Sequence, residues 1–340
     1  MIKLTQPKFW HKKNIISYLM IPLSVIYFIL CGLRKIKALL FGKIKLPAKL
    51  VVCVGNLTAG GSGKTQVVIW LCKKLSYKYK ILVISKGFGG EFDSCEFVNS
   101  DSSAYFVGEE AKQIFDETGV MVLVTKDIRV IPEKILSLNK NLRPDLIITD
   151  DFMQNPQLYK DIKITVIDGN RNFENRFLIP AGSFREITKF HKTDMCITVK
   201  NKCEKVRSDI ASKICCNNKY EADILVRRDI DDKIDKSRKY YAFAGIGNFD
   251  RFLETLKGEG IYVSNSHEFP DHYRYTKNDL LGLIEFSENN NLGLVTTRKD
   301  YTKILHVLSD QDIAKFSVID VEIYLENTEN FVEFIEKRLD

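Results

Sequence analysis

"VVCVGNLTAGGSGKTQVVIW" (residues 51–70) is the stretch on which the reading of this chain turns. It opens on a short, unbroken apolar run, the pattern of a strand buried on both faces. Gly60-Gly61-Ser62-Gly63 follows, and then a helical stretch that begins with Lys64-Thr65. Strand, glycine loop and helix in that order make a phosphate-binding loop, because successive backbone N–H groups curl around phosphate oxygens and the helix adds its positive end. The usual pattern also has a glycine at the position held here by Thr58. Threonine there removes a turn residue but none of the donors. The expected nucleotide contacts are therefore Thr58, Ala59, Gly60, Gly61, Ser62, Gly63, Lys64 and Thr65. Lys64 reaches the β- and γ-phosphates and the Thr65 hydroxyl serves Mg²⁺.

Downstream, short apolar runs recur: "KILVISKG" (80–87), "VMVLVT" (120–125), "PDLIITDD" (144–151), "KITVID" (163–168) and "DMCITVK" (194–200). Helical patterns separate several of them, at 64–77, 109–116 and 132–139. Fully apolar strands alternating with helices predict an α/β fold with a largely parallel sheet covered on both faces. Residues 201–239 are strongly polar and place a domain junction. A second set, "YYAFAGIGNFDRFLETL" (240–256), "LGLVTTRKDYTKIL" (292–305) and "KFSVIDVEIYL" (315–325), predicts a smaller α/β domain. The expected division is 1–47, 48–225 and 226–340.

A phosphate-binding loop needs an acid at the end of a neighbouring strand to hold the metal. "LIITDD" supplies Asp150 and Asp151, so Thr65, Asp150 and Asp151 are the candidate magnesium ligands. Two rival identities are tested by single residues. Partition-type ATPases carry a lysine before the Gly-Gly, where Ala59 stands. GTPases read guanine with Asn-Lys-x-Asp, and "NKCE" (201–204) ends on the longer glutamate.

The net charge of +7 is unevenly spread. Sixteen Lys and Arg precede residue 91 with no Asp or Glu among them, so the remainder sums to 7 − 16 = −9. A basic front half faces something anionic, and "IISYLMIPLSVIYFILCGL" (15–33), flanked by His11-Lys12-Lys13 and Arg34-Lys35, points to lipid rather than nucleic acid. The run is short of the roughly 20 clean apolar residues that span a bilayer, and Ser17, Pro22 and Ser24 interrupt it. A helix lying in the membrane surface is expected, with Tyr18, Tyr27 and Phe28 at the interface. Eight cysteines without a Cys-x-x-Cys pair fit a reducing compartment.

Taken in order, several strings resemble one family, the tetraacyldisaccharide 4′-kinases of lipid A biosynthesis. They are "GNLTAGGSGKT" (55–65), "SKGFG" (85–89), Gly108-Glu109-Glu110, "DDFMQN" (150–155), "IPAGSFRE" (179–186), "FAGIGN" (243–248) and "FPDHY" (269–273). The resemblance runs over about residues 51–300. It implies two α/β/α sandwich domains joined by a short β linker, the larger one P-loop NTPase-like, with a cleft between them and an N-terminal membrane-associated helix. It also implies ATP and Mg²⁺ as cofactors and transfer of the γ-phosphate to the 4′-hydroxyl of tetraacyldisaccharide 1-phosphate, giving lipid IVA. The catalytic set it implies is Glu109 with His272 for the proton, together with Lys64, Asp151, Arg129 and Arg185, and the substrate contacts are Gln154, Arg185 and Glu186. Glu109 stands where the family has aspartate, Lys86 replaces an arginine, and Phe152 and Asn155 replace glycine and histidine. Expected partners are the lipid A disaccharide 1-phosphate and anionic inner-membrane lipids, with no nucleic acid. The expected protein is a monomer at the cytoplasmic face of the bacterial inner membrane. A membrane-attached ATPase or GTPase switch is the alternative, and a non-catalytic homologue a third.

Overall fold

The computed structural model describes residues 7–10, 12–202, 205–227, 234–305 and 307–339. His11 of the basic flank, and Cys203 and Glu204 of the "NKCE" string, lie outside the described residues. Among the described residues thirteen strands follow one another: β1 (Leu50–Gly55), β2 (Ile81–Ser85), β3 (Cys95–Phe97), β4 (Met121–Thr125), β5 (Leu146–Asp150), β6 (Ile162–Asp168), β7 (Met195–Asn201), β8 (Asn218–Val226), β9 (Lys239–Ala244), β10 (Tyr262–Glu268), β11 (Gly293–Thr297), β12 (Phe316–Ile319) and β13 (Val321–Leu325).

They form two sheets. The larger runs β13-β8-β7-β6-β1-β5-β2-β4-β3, and the smaller β10-β9-β11-β12. In the larger sheet β1 pairs in parallel with β5 and β6, and β2 with β4 and β5, while β3 runs antiparallel to β4. Every residue of β1, β2 and β5 is buried, as their unbroken apolar runs require.

By contacts the chain divides into two compact units. One comprises residues 7–200, 205–222 and the segment from Leu325 onward, and the other is chiefly Asp223–Tyr324. In the first unit the helix Lys64–Leu75 has no side-chain cap on its N-cap Gly63. Its hold comes from burial of Val67, Val68, Ile69, Leu71 and Leu75, at about 1.5–3 kcal/mol per side chain, well above the ~1 kcal/mol of a cap. The uncapped first-turn N–H groups face the loop. The terminal helix Thr328–Glu336 lays Phe331 edge-on against Trp70 (5.3 Å) and Tyr220 (4.9 Å).

In the second unit β9 shows the period of two that splits a strand between two cores. Tyr240, Ala242 and Ala244 join one cluster with Phe252 and Leu256, whereas Phe243 joins another with Leu280, Leu283 and Ile304. Helices therefore cover both faces of the small parallel sheet.

The run expected at 15–33 forms two helices, Ile15–Leu19 and Ile21–Phe41. In these helices Ser17, Ser24 and Tyr27 turn toward the rest of the protein, while Arg34, Lys35 and Lys37 stay exposed. Ser17 accepts from Asn175 Nδ2 (3.0 Å), Ser24 donates to the Leu178 carbonyl (2.7 Å), and Tyr27 donates to the Arg185 carbonyl (3.1 Å). Their apolar residues turn outward, among them Leu19, Phe28, Leu30, Leu33, Leu40 and Phe41. Tyr27 thus faces the protein, unlike Phe28. No helix among the described residues is long and apolar enough to cross a membrane.

Candidate active site

The C-terminal ends of β1, β2, β4 and β5 carry the loops that hold most of the expected site residues, the edge where open α/β sheets bind ligands. Leaving β1, the chain turns through Asn56, which is wholly buried. Asn56 Nδ2 donates to Ser62 Oγ (3.0 Å), tying the start of the glycine loop to its end. Gly60 and Gly63 have φ of 107° and 88°, a backbone that only glycine takes without strain. The loop's outer edge is held by the "IPAGSFRE" segment: Ala59 N–H donates to the Ser183 carbonyl (2.8 Å) and Arg185 N–H to the Leu57 carbonyl (2.7 Å).

Across the loop stand Asp150, the last residue of β5, and Asp151 directly after it. Asp151 has a left-handed backbone (φ 62°) and donates its N–H to the Val54 carbonyl of β1. Its Oδ1 accepts from Arg185 NH1 at 2.6 Å and lies 4.0 Å from Lys64 Nζ. Burial alone pushes this carboxyl up, but Lys64, Arg185 and Lys86 together outweigh it and hold Asp151 below the usual range. Asp150 moves the other way. Burial, with Glu110 adding to it, pushes its carboxyl up to about 8. Its Oδ1 is buried and has no hydrogen-bond partner among the described residues.

Lys86 sits over the rings of Phe88 (5.3 Å) and Phe152 (5.4 Å), and burial lowers its pKa. Gln154 joins the two halves of the site: Nε2 donates to the Asn56 carbonyl (2.8 Å), and Oε1 faces Arg185 NH1 at 3.4 Å.

A family model described as tetraacyldisaccharide-1-P 4′-kinase matches residues 16–340. The chain belongs to the tetraacyldisaccharide 4′-kinase family. The tetraacyldisaccharide 4′-kinase of Rickettsia canadensis (strain McKiel) is 40% identical over 342 residues, 99% of this chain and 98% of its own. That of Rickettsia bellii (strain OSU 85-389) is 41% identical over 307 residues, 89% and 91% of the two chains. A crystal structure of LpxK from Aquifex aeolicus in complex with ATP matches with a TM-score of 0.70 at 24% identity, covering 96% of this chain and all of that one. At that identity the likeness speaks to the fold.

In this member of the tetraacyldisaccharide 4′-kinase family, Lys64, Asp151, Arg185 and Gln154 come together around the loop. Glu109 is half-buried at the start of the helix Glu109–Thr118, after Gly108. A side chain at Gly108 would press within 3 Å of the Gly87 backbone, so the "SKGFG" turn and Gly108-Glu109-Glu110 lock together there. Arg129 is not drawn into the cluster. It is exposed and donates to Asp127 from NH2 (2.6 Å) and Nε (2.9 Å). Glu186 points toward His191 Nδ1 (3.2 Å) and Lys35 Nζ (3.9 Å). His272 lies on the second unit, in a left-handed conformation (φ 59°).

Sequence reasoning gave no role to Asn56, Ser183 and Glu110, and set Tyr27 at the membrane interface, whereas its hydroxyl donates to the Arg185 carbonyl. The "GN" that opens the loop string was a usable signal for Asn56. For the carbonyl of Ser183 and the hydroxyl of Tyr27 there was none, since each acts on a partner more than a hundred residues away.

The oxygen donors present fit Mg²⁺. They are two carboxylates, one with an orphaned buried oxygen, beside the first-turn hydroxyl residue Thr65. Magnesium keeps several waters and takes phosphate oxygens rather than an all-protein cage. Among the described residues no group of three or more His, Cys, Asp or Glu forms such a cage.

Proposed function

We propose that this chain transfers the γ-phosphoryl group of ATP to the 4′-hydroxyl of tetraacyldisaccharide 1-phosphate, forming lipid IVA. The observation that carries the reading is the shared Asp151 oxygen, met by Arg185 and Lys64 at the mouth of a glycine loop. That geometry suits phosphoryl transfer, where catalysis is mostly positioning and charge stabilisation. The loop's N–H groups and the helix Lys64–Leu75 cradle the phosphates. Lys64 and Arg185 offset charge that spreads over the transferring group's oxygens. Asp150, Asp151 and Thr65 would hold Mg²⁺, which would neutralise phosphate charge when bound.

A sugar hydroxyl needs a base to take its proton. We assign this to Glu109 with His272, the positions that the family resemblance supplies, and give Glu186 and Gln154 the orienting of groups near the acceptor. Arg129, released from Asp127, serves the phosphates. The outward apolar face of Ile21–Phe41 and the basic charge before residue 91 support residence on an anionic membrane surface. We assign it to the cytoplasmic face of the inner membrane, as a monomer.

Turnover of Glu109→Asp and Glu109→Ala with the tetraacyldisaccharide acceptor tests the base assignment. Loss by about 10²-fold or more in the alanine variant, with recovery in the aspartate variant, is expected. Equal turnover in all three proteins contradicts it.

A further inference from the structure

The most deeply buried ion pair described in the second unit has no part in the chemistry above. Lys303 and Asp300 have side chains 1% and 0% exposed, with Nζ and Oδ1 3.1 Å apart. Both sit on the short helix Arg298–Ile304 after β11. Apolar residues of similar volume usually stabilise a fold as well as a buried ion pair does or better, because desolvating two charges is costly. What distinguishes this pair is where its remaining hydrogen bonds go.

Asp300 Oδ2 accepts from the Gly245 N–H at 3.1 Å and from the Thr297 hydroxyl at 2.8 Å. Gly245 in turn accepts, at its carbonyl, the N–H of His272 (3.2 Å). Lys303 Nζ donates to the carbonyl of the next residue, Tyr273 (3.3 Å), and lies over the Tyr275 ring at 5.8 Å. The two loops meet so closely that a Cβ on Gly245 would stand 3.0 Å from Tyr273 Cβ and 3.1 Å from the Pro270 carbonyl. The same helix also reaches the imidazole, with Lys299 Nζ 3.4 Å from His272 Nδ1 and 3.6 Å from Asp271 Oδ1. His272 holds a φ of 59°, which costs a non-glycine residue of order 1–3 kcal/mol and persists only where its surroundings over-determine it.

We propose that the buried Asp300–Lys303 pair is the positioning device for His272, fixing its backbone from both sides through Gly245 and Tyr273 while Lys299 sets its ring. Neither residue touches substrate; both act through His272. The inference rests on the role given to His272 under the proposed function.

The test is a double-mutant cycle in the full chain. Lys303→Met and the charge-free pair Asp300→Asn/Lys303→Met are each made in the parent and in His272→Ala, and assayed for transfer to tetraacyldisaccharide 1-phosphate. The charge-free pair leaves no lone buried charge and guards against simple misfolding. In the parent background, kcat is expected to fall about 10- to 100-fold with KM for ATP unchanged. In the His272→Ala background the same changes are expected to cost less than about twofold, since residues acting as one unit are not additive. Equal losses in both backgrounds, or a charge-free pair that turns over like the parent, overturn the proposal. A second readout needs no turnover: the His272 ring resonances, assigned by their loss in His272→Ala, are expected to shift in the charge-free pair, and unchanged resonances overturn the proposal. If His272→Ala turns over like the parent while those resonances still shift, the role of His272 in the proposed function is overturned and the positioning stands.

Discussion

Arg185 NH1 and Lys64 Nζ share one oxygen of Asp151, at 2.6 Å and 4.0 Å. Three segments far apart in the chain, the glycine loop, the end of β5 and the "IPAGSFRE" segment, are thereby joined at a single carboxylate. Arg185 is also fixed at its backbone, which donates to Leu57 and accepts from Tyr27. Its guanidinium is therefore placed before any ligand arrives, the condition under which charge stabilisation is most effective. Replacing Arg185 with methionine is expected to lower kcat by about 10²- to 10³-fold. Lysine is expected to recover little of it, because it lacks the planar, multi-donor guanidinium. Steady-state kinetics of Arg185→Met and Arg185→Lys check both statements.

Asp150 gives a pH signature. Its carboxyl is raised to about 8 in the folded protein, against about 3.9 in an unfolded chain. Between those values the folded state holds a proton that the unfolded state has lost, so stability falls as pH rises and the loss is complete near pH 8. Asp150→Asn removes this slope. In thermal unfolding of the nucleotide-free protein from pH 5 to 8.5, the difference in Tm between variant and parent is expected to widen in favour of the variant. A difference that does not change with pH contradicts the shift.

Tyr27 links the N-terminal helix to the site. Burial, with Cys31 adding to it, pushes its phenol up to about 12, so the hydroxyl remains a donor to the Arg185 carbonyl at neutral pH. Tyr27→Phe is expected to cost about 0.5–1.5 kcal/mol of stability and to lower kcat several-fold, while binding to vesicles is unchanged. Chemical unfolding, turnover in micelles and a vesicle sedimentation assay separate the three effects.

The outward face of the same helix is expected to behave in the opposite way. Phe28→Glu with Leu30→Glu changes two exposed side chains, leaving the contacts of Ser24 and Tyr27 in place. Each apolar side chain withdrawn from lipid is worth about 1.5–3 kcal/mol. For the two together affinity for anionic vesicles should fall by about 10²-fold or more, with the Tm unchanged.

The local parts of this site were legible in the sequence. β1, the glycine loop and Lys64-Thr65 are contiguous, and the acids of β5 follow an apolar run that can only be a buried strand. Arg129 is the case where a role implied by the family resemblance did not place a residue in the cluster, because Asp127 two positions earlier accepts its guanidinium. The polar stretch read as a junction contains β8, a nine-residue strand with only Ala222 buried. β10 is almost wholly exposed at the edge of its sheet. Neither carries the apolar signal by which strands are recognised. "KFSVIDVEIYL" reads as one unit but splits at Asp320, whose carboxylate is met by Arg227 (3.1 Å) and Arg298 (3.4 Å). β12 goes to the small sheet and β13 to the large one, a break at a buried carboxylate that periodicity does not register.

The most direct measurement follows the γ-phosphate itself. The full chain is incubated with Mg²⁺, γ-labelled ATP and tetraacyldisaccharide 1-phosphate in detergent micelles, with Lys64→Ala run alongside. The expected result is label in the lipid at its 4′-position, lost in Lys64→Ala and on chelation of Mg²⁺. Label released only as inorganic phosphate, with none in the lipid, would contradict the assignment of this chain as a lipid kinase.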